Sequence, residues 1–349
     1  MLWTIFSGGV IGVLLGFVLQ RTRFCMTGGF RDMYIARNNR LFYAFLIAIA
    51  IQSVGVLVAI ELGYLSYEYE EYSVVGVLVG SFIFGLGIVL ASGCATGTWY
   101  RAGEGLIGSW VALFAYALSA AAMKYGALNG LQKAITQHAR VNENLSAALG
   151  VSVWWLVALL VAVTAYFAYK TLAKPRIQAV GLPPKFSGVR HYLFEKRYHP
   201  FQAAVAVGVI AFLAWFASSS TGRNDGLGIT TPSANLVYFF ATGDESKLNW
   251  GVFLVLGIFV GSFLAAKGSN GFRWRLPDSK TLAFSLVGGL LMGVGASLAG
   301  GCTIGNGLTA TAVMSSKGWL SLAVTILGVW TMSYFLFVKP SRQATACTA

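Results

Sequence analysis

Charge is scarce in this chain. Only 11% of its 349 residues are Asp, Glu, Lys or Arg, against about 25% in an ordinary soluble domain. Histidine is rarer still. The three residues at 138, 191 and 199 form no metal-ligand spacing. Four cysteines occur, Cys25, Cys94, Cys302 and Cys347, with no C-x-x-C pair and no disulfide framework. No P-loop is present, so the chain does not itself hydrolyse ATP. Neither a metal nor another cofactor is expected. A formal net charge of +13 would suit nucleic acid, but its sign depends on position, and no nucleic-acid partner is expected.

What is present is apolar sequence in long blocks. Hydrophobic residues make up 56% of the chain and the mean hydropathy is +0.69. Nine segments, near 4–20, 41–63, 74–91, 105–123, 151–169, 200–217, 248–267, 281–299 and 318–338, approach the roughly 20 residues a bilayer requires. The start, Met1-Leu2-Trp3, carries no side-chain positive charge, and apolar sequence runs to Leu19 without a small-residue cleavage site. It reads as a first span rather than a signal peptide. Residues 1–349 form one membrane domain in a lipid bilayer.

The loops suggest an orientation. Arg21, Arg23, Arg31, Arg37 and Arg40 follow span one. Lys170, Lys174, Arg176, Lys185, Arg190, Lys196 and Arg197 follow span five. Lys267, Arg273, Arg275 and Lys280 follow span seven, and Lys339 and Arg342 follow span nine. The loop after span two holds Glu68, Glu70 and Glu71 and no basic residue. The positive-inside rule puts the basic loops in the cytoplasm. The N-terminus is then periplasmic and the C-terminus cytoplasmic. The loop at 124–150 falls outside despite Lys124, Lys133 and Arg140.

A repeat runs through the chain. Residues 80–97 read GSFIFGLGIVLASGCATG and residues 288–305 read GGLLMGVGASLAGGCTIG. Gly80, Gly85, Gly87, Ala91, Gly93, Cys94 and Gly97 pair with Gly288, Gly293, Gly295, Ala299, Gly301, Cys302 and Gly305 at a constant offset of 208. Gly105-Leu106 aligns loosely with Gly318-Trp319 if the second half carries a short insertion. Phe24-Cys25-Met26-Thr27 can be set against Leu227-Gly228-Ile229-Thr230, with glycine replacing the cysteine. The spans preceding the two cysteine loops run in opposite directions. The halves, 1–150 and 200–338, thus form an inverted repeat of four spans each, joined by span five and its loop over 151–199. The expected fold is an all-α membrane protein with about nine transmembrane helices plus re-entrant helical loops and an inverted pseudo-twofold repeat, an architecture used by transporters.

Each glycine-rich cysteine loop reads as a turn at membrane depth followed by a short re-entrant helix starting near Ala95 or Thr303. Irregular backbone at that depth must be buried in protein or line a polar cavity. Free N–H groups at such helix starts suit an anion. The candidate substrate-binding residues are Gly93, Cys94, Ala95, Thr96 and Gly97 in one loop and Gly301, Cys302, Thr303, Ile304 and Gly305 in the other. Cys25 is a third station on the cytoplasmic side. Arg101 and Glu104 either pair with each other or guide an anion. A neutral thiol is a weak donor with a soft sulfur, suited to a substrate that exposes sulfur. These residues leave open a permease for a sulfur-bearing anion and a membrane sulfurtransferase that carries a cysteine persulfide. The pairs Gly12/Gly16, Gly76/Gly80 and Gly257/Gly261 read as close helix packing, and Trp154-Trp155 as an interface anchor.

The stretches RTRFCMTGGFRDMYI, GIVLASGCATGTWYRAGEGLIGSW and GASLAGGCTIGNGL resemble the YeeE/YedE family of bacterial inner-membrane proteins, above all its YeeE branch of thiosulfate uptake permeases. The resemblance covers nearly the whole chain. It implies an hourglass-like fold of pseudo-symmetric halves and no enzymatic activity. It also implies functional cysteines at Cys25, Cys94 and Cys302, with thiosulfate passed between the thiols by S–H···S hydrogen bonds. A small cytoplasmic TusA-like protein, YeeD-like, is the implied partner. Relatives in the YedE branch are linked to selenium. Cys347 matches no family motif.

Overall fold

A computed structural model describes residues 2–142, 144–173, 187–196 and 198–340. Cys347 lies outside these residues, as do Lys174, Arg176, Lys185, Arg197 and Arg342. The regular structure of the described chain is helical apart from one two-stranded antiparallel pairing, β1 (Tyr72–Ser73) with β2 (Arg140–Val141). The helices are α1 (Leu2–Thr22), α2 (Met26–Ile35), α3 (Arg40–Glu61), α4 (Val74–Leu90), α5 (Ala95–Gly103), α6 (Ile107–Lys124), α7 (Asn129–Thr136), α8 (Leu145–Leu149), α9 (Val153–Leu172), α10 (Gly188–Phe194), α11 (Pro200–Ser219), α12 (Thr230–Thr242), α13 (Trp250–Gly268), α14 (Ser279–Leu298) and α15 (Ser316–Ser333). Among the described residues, nine stretches are long and apolar enough to cross a membrane, as the nine segments read from sequence require. The chain is a multipass membrane protein. Two short helices, α2 and α12, were not legible as elements. They are 10 and 13 residues long, too short to span.

The halves pack by exchange. α1 lies on α13 and α11 on α3. α4 packs on α15 and α14 on α6. α2 meets α15 and α12 meets α6. α4 and α14 cross each other at the centre. Each of these contacts of one half thus has its mate in the other. Counterpart helices run in opposite directions. The Trp3 indole at the start of α1 donates to Ser220 Oγ at the end of α11, 2.8 Å away. α6 starts beside Arg275, whose carbonyl accepts the Ile107 N–H at 3.0 Å, whereas α15 starts beside Asn144 and the acidic loop, where Lys317 pairs with Glu70.

Two faces are thereby defined. The acidic face holds the N-terminus, the loop with Glu68, Glu70 and Glu71, and the 125–152 segment. That segment is tied there by the β1–β2 pairing and by Arg140 beside Glu71 at 3.8 Å. Arg140 is thus matched by a nearby acid on this face. The basic face holds Arg21, bonded to the Leu193 carbonyl at 2.8 Å, and Arg23, bonded to Glu104. Close packing carries the bundle. At Gly12 and Gly16 the backbone of α13 sits where a Cβ would be, and Gly257 and Gly261 receive α1 in the same way. Such small-residue contacts let membrane helices approach where no hydrophobic force drives them together. Trp154 is bonded to Glu61 at the acidic face, while Trp155 stays exposed.

The repeat register is finer than the sequence suggests. Gly105 and Met314 both have left-handed backbones, with φ of 90° and 54°. Each is followed by the residue that caps the next helix, Leu106 or Ser315. Gly105 therefore corresponds to Met314, not Gly318, and the offset grows by one residue rather than by a longer insertion. A methionine in the position of a glycine hid this from comparison by residue type.

Candidate functional site

Each cysteine stands at a break in a helical path, and the three breaks are built alike. Two residues before each thiol the backbone turns left-handed, at Arg23 (φ 53°), Ser92 (φ 54°) and Gly300 (φ 69°). In two of them the turn closes α4 and α14 with the same pair of bonds. Gly93 N–H donates to the Ile88 carbonyl and Ala91 N–H to Gly87. Gly301 N–H donates to Ala296 and Ala299 N–H to Gly295. A left-handed residue with this bond pattern is a helix stop. The chain then restarts at once. The carbonyls of Cys25, Cys94 and Cys302 accept the N–H groups of Gly29, Thr98 and Asn306 at 3.0, 2.8 and 2.8 Å.

The α4 and α14 breaks lie inside the bundle rather than at a face. Leu90 and Ala91 abut Gly288, nine residues into α14 and so about 14 Å from its start. Leu298 and Ala299 abut Gly80, about 9 Å into α4. All three thiols are buried, with exposures of 9%, 4% and 3% for Cys25, Cys94 and Cys302. None is in a disulfide. Cys94 is within electrostatic reach of both of the others.

The restarts differ. Cys94 caps α5 and Cys25 caps α2, and the Gly97 backbone N–H is turned toward the Cys94 thiol. Gly97 lies against the Cys94 sulfur, where an added Cβ would stand 3.6 Å from Sγ. After Cys302 the segment Gly305–Ala310 is wound as a π-helix, with Thr309 N–H reaching the Ile304 carbonyl at 2.9 Å. Asn306 braces this loop by donating to the Ala299 carbonyl and Ser321 Oγ at 2.9 and 3.1 Å. Its Oδ1 occupies the space a side chain on Gly301 would need. Single π turns of this kind often mark functional sites.

From the acidic face a cavity of about 120 Å³ runs down to Cys302. Several waters fit in it, and so does a small tetrahedral oxyanion. Arg223, Lys317, Glu70 and Tyr67 stand at its mouth, and Gly301, Gly305 and Thr230 line its floor. Arg223 is bonded to Asp225 at 2.6 Å, but its Nη1 is sealed without a partner. Burial, reinforced by nearby Asp225 and Glu70, pushes the Tyr67 phenol well above its ordinary range, so it remains a hydrogen-bond donor.

Arg101 and Glu104 do not pair with each other. The Arg101 guanidinium donates to the Ser92 carbonyl, to Tyr100 Oη at 3.3 Å and to Cys25 Sγ at 3.5 Å. It ties the turn before Cys94 to the Cys25 thiol. Glu104 is 1% exposed and is held by Arg23 at 2.8 and 2.6 Å. The contacts of Arg23 and of Arg223 were missed from the sequence, because the partner of Arg23 lies in another element and Arg223 with Asp225 sits in a loop that carries no motif. One signal was available. Cys25-Met26-Thr27-Gly28 shares the C-x-x-G spacing of the two repeat loops, which marks Cys25 as a third station of the same design.

Known proteins are similar to this chain over nearly its whole length. The sulphur transport family matches residues 21–331. A protein named thiosulfate transporter TsuA from Escherichia coli (strain K12) is 55% identical over 345 residues, covering 99% of this chain and 98% of the relative. A thiosulfate transporter TsuA from Spirochaeta thermophila is 32% identical over 351 residues, covering 97% and 99%. The probable transporter YedE of E. coli is 35% identical over 101 residues, covering 29% of this chain and 25% of the relative. This chain belongs to the sulphur transport family, the YeeE/YedE group of membrane proteins.

Proposed function

We propose that the chain is a thiosulfate permease of a bacterial inner membrane that passes the ion along its three thiols. The supporting observation is the repeated break: three buried cysteines in one backbone design, with Cys94 in reach of both others. Two full-length relatives bearing the name thiosulfate transporter supply the substrate. The basic face is cytoplasmic by the positive-inside rule, so the cavity opens to the periplasm and the C-terminus lies inside.

In this reading thiosulfate enters between Arg223 and Lys317 and reaches Cys302, then Cys94, then Cys25. Its terminal sulfur accepts S–H···S hydrogen bonds from protonated thiols; a buried thiolate would repel the dianion. Ala95, Thr96 and Gly97, with Gly93 before the thiol, supply first-turn N–H groups at Cys94. Gly301, Thr303, Ile304 and Gly305 shape the Cys302 floor. Arg101 offsets the charge of the ion between Cys94 and Cys25. Glu104 acts through Arg23 and fixes the cytoplasmic mouth. A small TusA-like protein receives sulfur at that face.

Growth on thiosulfate as sole sulfur source, in cells that depend on this chain, tests the proposal. Cys94→Ala and Cys302→Ala should abolish growth with the protein still in the membrane. Full growth of either variant would contradict the relay. A stoichiometric persulfide on Cys94 or Cys302 after exposure to thiosulfate, read by mass spectrometry, would favour a sulfurtransferase instead.

A further inference from the structure

We infer that Thr27, Thr96 and Thr303 form a second row of donors, one hydroxyl beside each thiol, that hold the oxygen end of the ion while the cysteine holds its sulfur end. The inference rests on the thiosulfate reading above and adds to it a basis for selectivity.

The three residues follow their cysteines by two, two and one positions. They are 4%, 3% and 4% exposed. Each hydroxyl is sealed from solvent with no hydrogen-bond partner, and among the described residues no other threonine hydroxyl is in that state. Sealed polar groups are nearly always paired, because leaving one unpaired costs its full desolvation. Several other buried threonines of the chain obey that rule. Thr98 donates to the Ala95 carbonyl at 2.7 Å, Thr309 to Leu227 at 2.8 Å and Thr311 to Gly307 at 2.8 Å. A valine has nearly the same shape and would avoid the cost. The unpaired state therefore coincides with the thiols and not with threonine as such.

The second half supplies an internal control. Thr230 is the counterpart of Thr27, but Gly228 stands where Cys25 would be. With no cysteine two residues before it, the Thr230 hydroxyl is engaged by the Tyr116 phenol at 2.9 Å. The hydroxyl is left free where a cysteine precedes it in the chain and tied up where glycine takes that place.

The chemistry fits an ion with two unlike ends. Thiosulfate carries one soft terminal sulfur and three hard oxygens. A thiol is a weak donor matched to the sulfur. A hydroxyl makes a short, strong bond to an oxygen. Together they grip the ion in one orientation at every station. Sulfate lacks the soft end and sulfide lacks the oxygens, so each loses one half of the contact.

The test is uptake of radiolabelled thiosulfate into proteoliposomes as a function of concentration, with purified full chain. Thr96→Val should raise the half-saturating concentration about tenfold, the effect of losing one hydrogen bond to a charged group. Its melting temperature should not fall. Thr96→Ser, which keeps the hydroxyl, should restore most of the affinity. Thr27→Val and Thr303→Val are measured alongside, so that poor recovery of one variant does not decide the matter. Wild-type half-saturation in the valine variants, or equal impairment of Val and Ser, would overturn the hydroxyl assignment. Cys94→Ala in the same preparation separates the two ideas. If it transports normally, the thiol relay itself fails; if it is inactive while the valine variants are normal, only the hydroxyl row fails.

Discussion

Removing the Arg101 guanidinium would leave two acceptors without their donor, the Ser92 carbonyl and Cys25 Sγ. Bonds from a charged donor contribute about 1.5–3 kcal/mol each, so Arg101→Met should cut thiosulfate uptake by about ten- to a hundredfold. Arg101→Lys should not restore it, because a point charge cannot reach both groups at once. Uptake in either variant at the wild-type rate would remove Arg101 from the path. At this scale the sequence was partly informative. The matched thiols Cys94 and Cys302 stood out through the repeat. The pairing of Arg101 with Cys25 did not, since the two are far apart in sequence and meet only when α5 docks beside α1. The same holds for Glu104, whose neighbour in sequence is Arg101 but whose partner in space is Arg23.

At the level of elements, the helix stops before the thiols set the geometry. Ser92 adopts a left-handed backbone where its counterpart is Gly300. Left-handed geometry costs a side-chain-bearing residue about 1–2 kcal/mol. Ser92→Gly should therefore stabilise the detergent-solubilised protein by about 1 kcal/mol or slightly less, seen as a higher melting temperature. Gly300→Ala should do the reverse. Its added Cβ would also stand 2.8 Å from Lys317 Nζ. Packing of α1 on α13 gives a harsher case. Gly16→Leu drives a side chain into the Ile258 backbone and should cost about 1–3 kcal/mol or more, read as lost folded protein on size-exclusion chromatography. Long apolar runs made the spanning helices legible from composition alone. The short α2 and α12 were hidden because Thr, Gly, Asn and charged residues interrupt their apolar pattern, and tertiary packing rather than a hydrophobic stripe holds them.

For the whole molecule, the proposed orientation rests on charge and the inversion on contacts between the halves. A membrane-impermeant maleimide should label Glu70→Cys in intact cells, and Lys267→Cys only after permeabilisation. The opposite pattern would turn the Cys302 cavity toward the cytoplasm and reverse the path. The exchange of helices between halves explains why the repeat could be read in only one stretch. The α4–α5 and α14 segments meet at the centre and face the same constraints, so their glycines match. The outer helices meet different neighbours, and little but their direction and length is shared. The decisive measurement is radiolabelled thiosulfate uptake into proteoliposomes by the wild type and by Cys25→Ala, Cys94→Ala and Cys302→Ala. Uptake by the wild type alone is the predicted result. Undiminished uptake through the Cys94→Ala protein would contradict the thiol path.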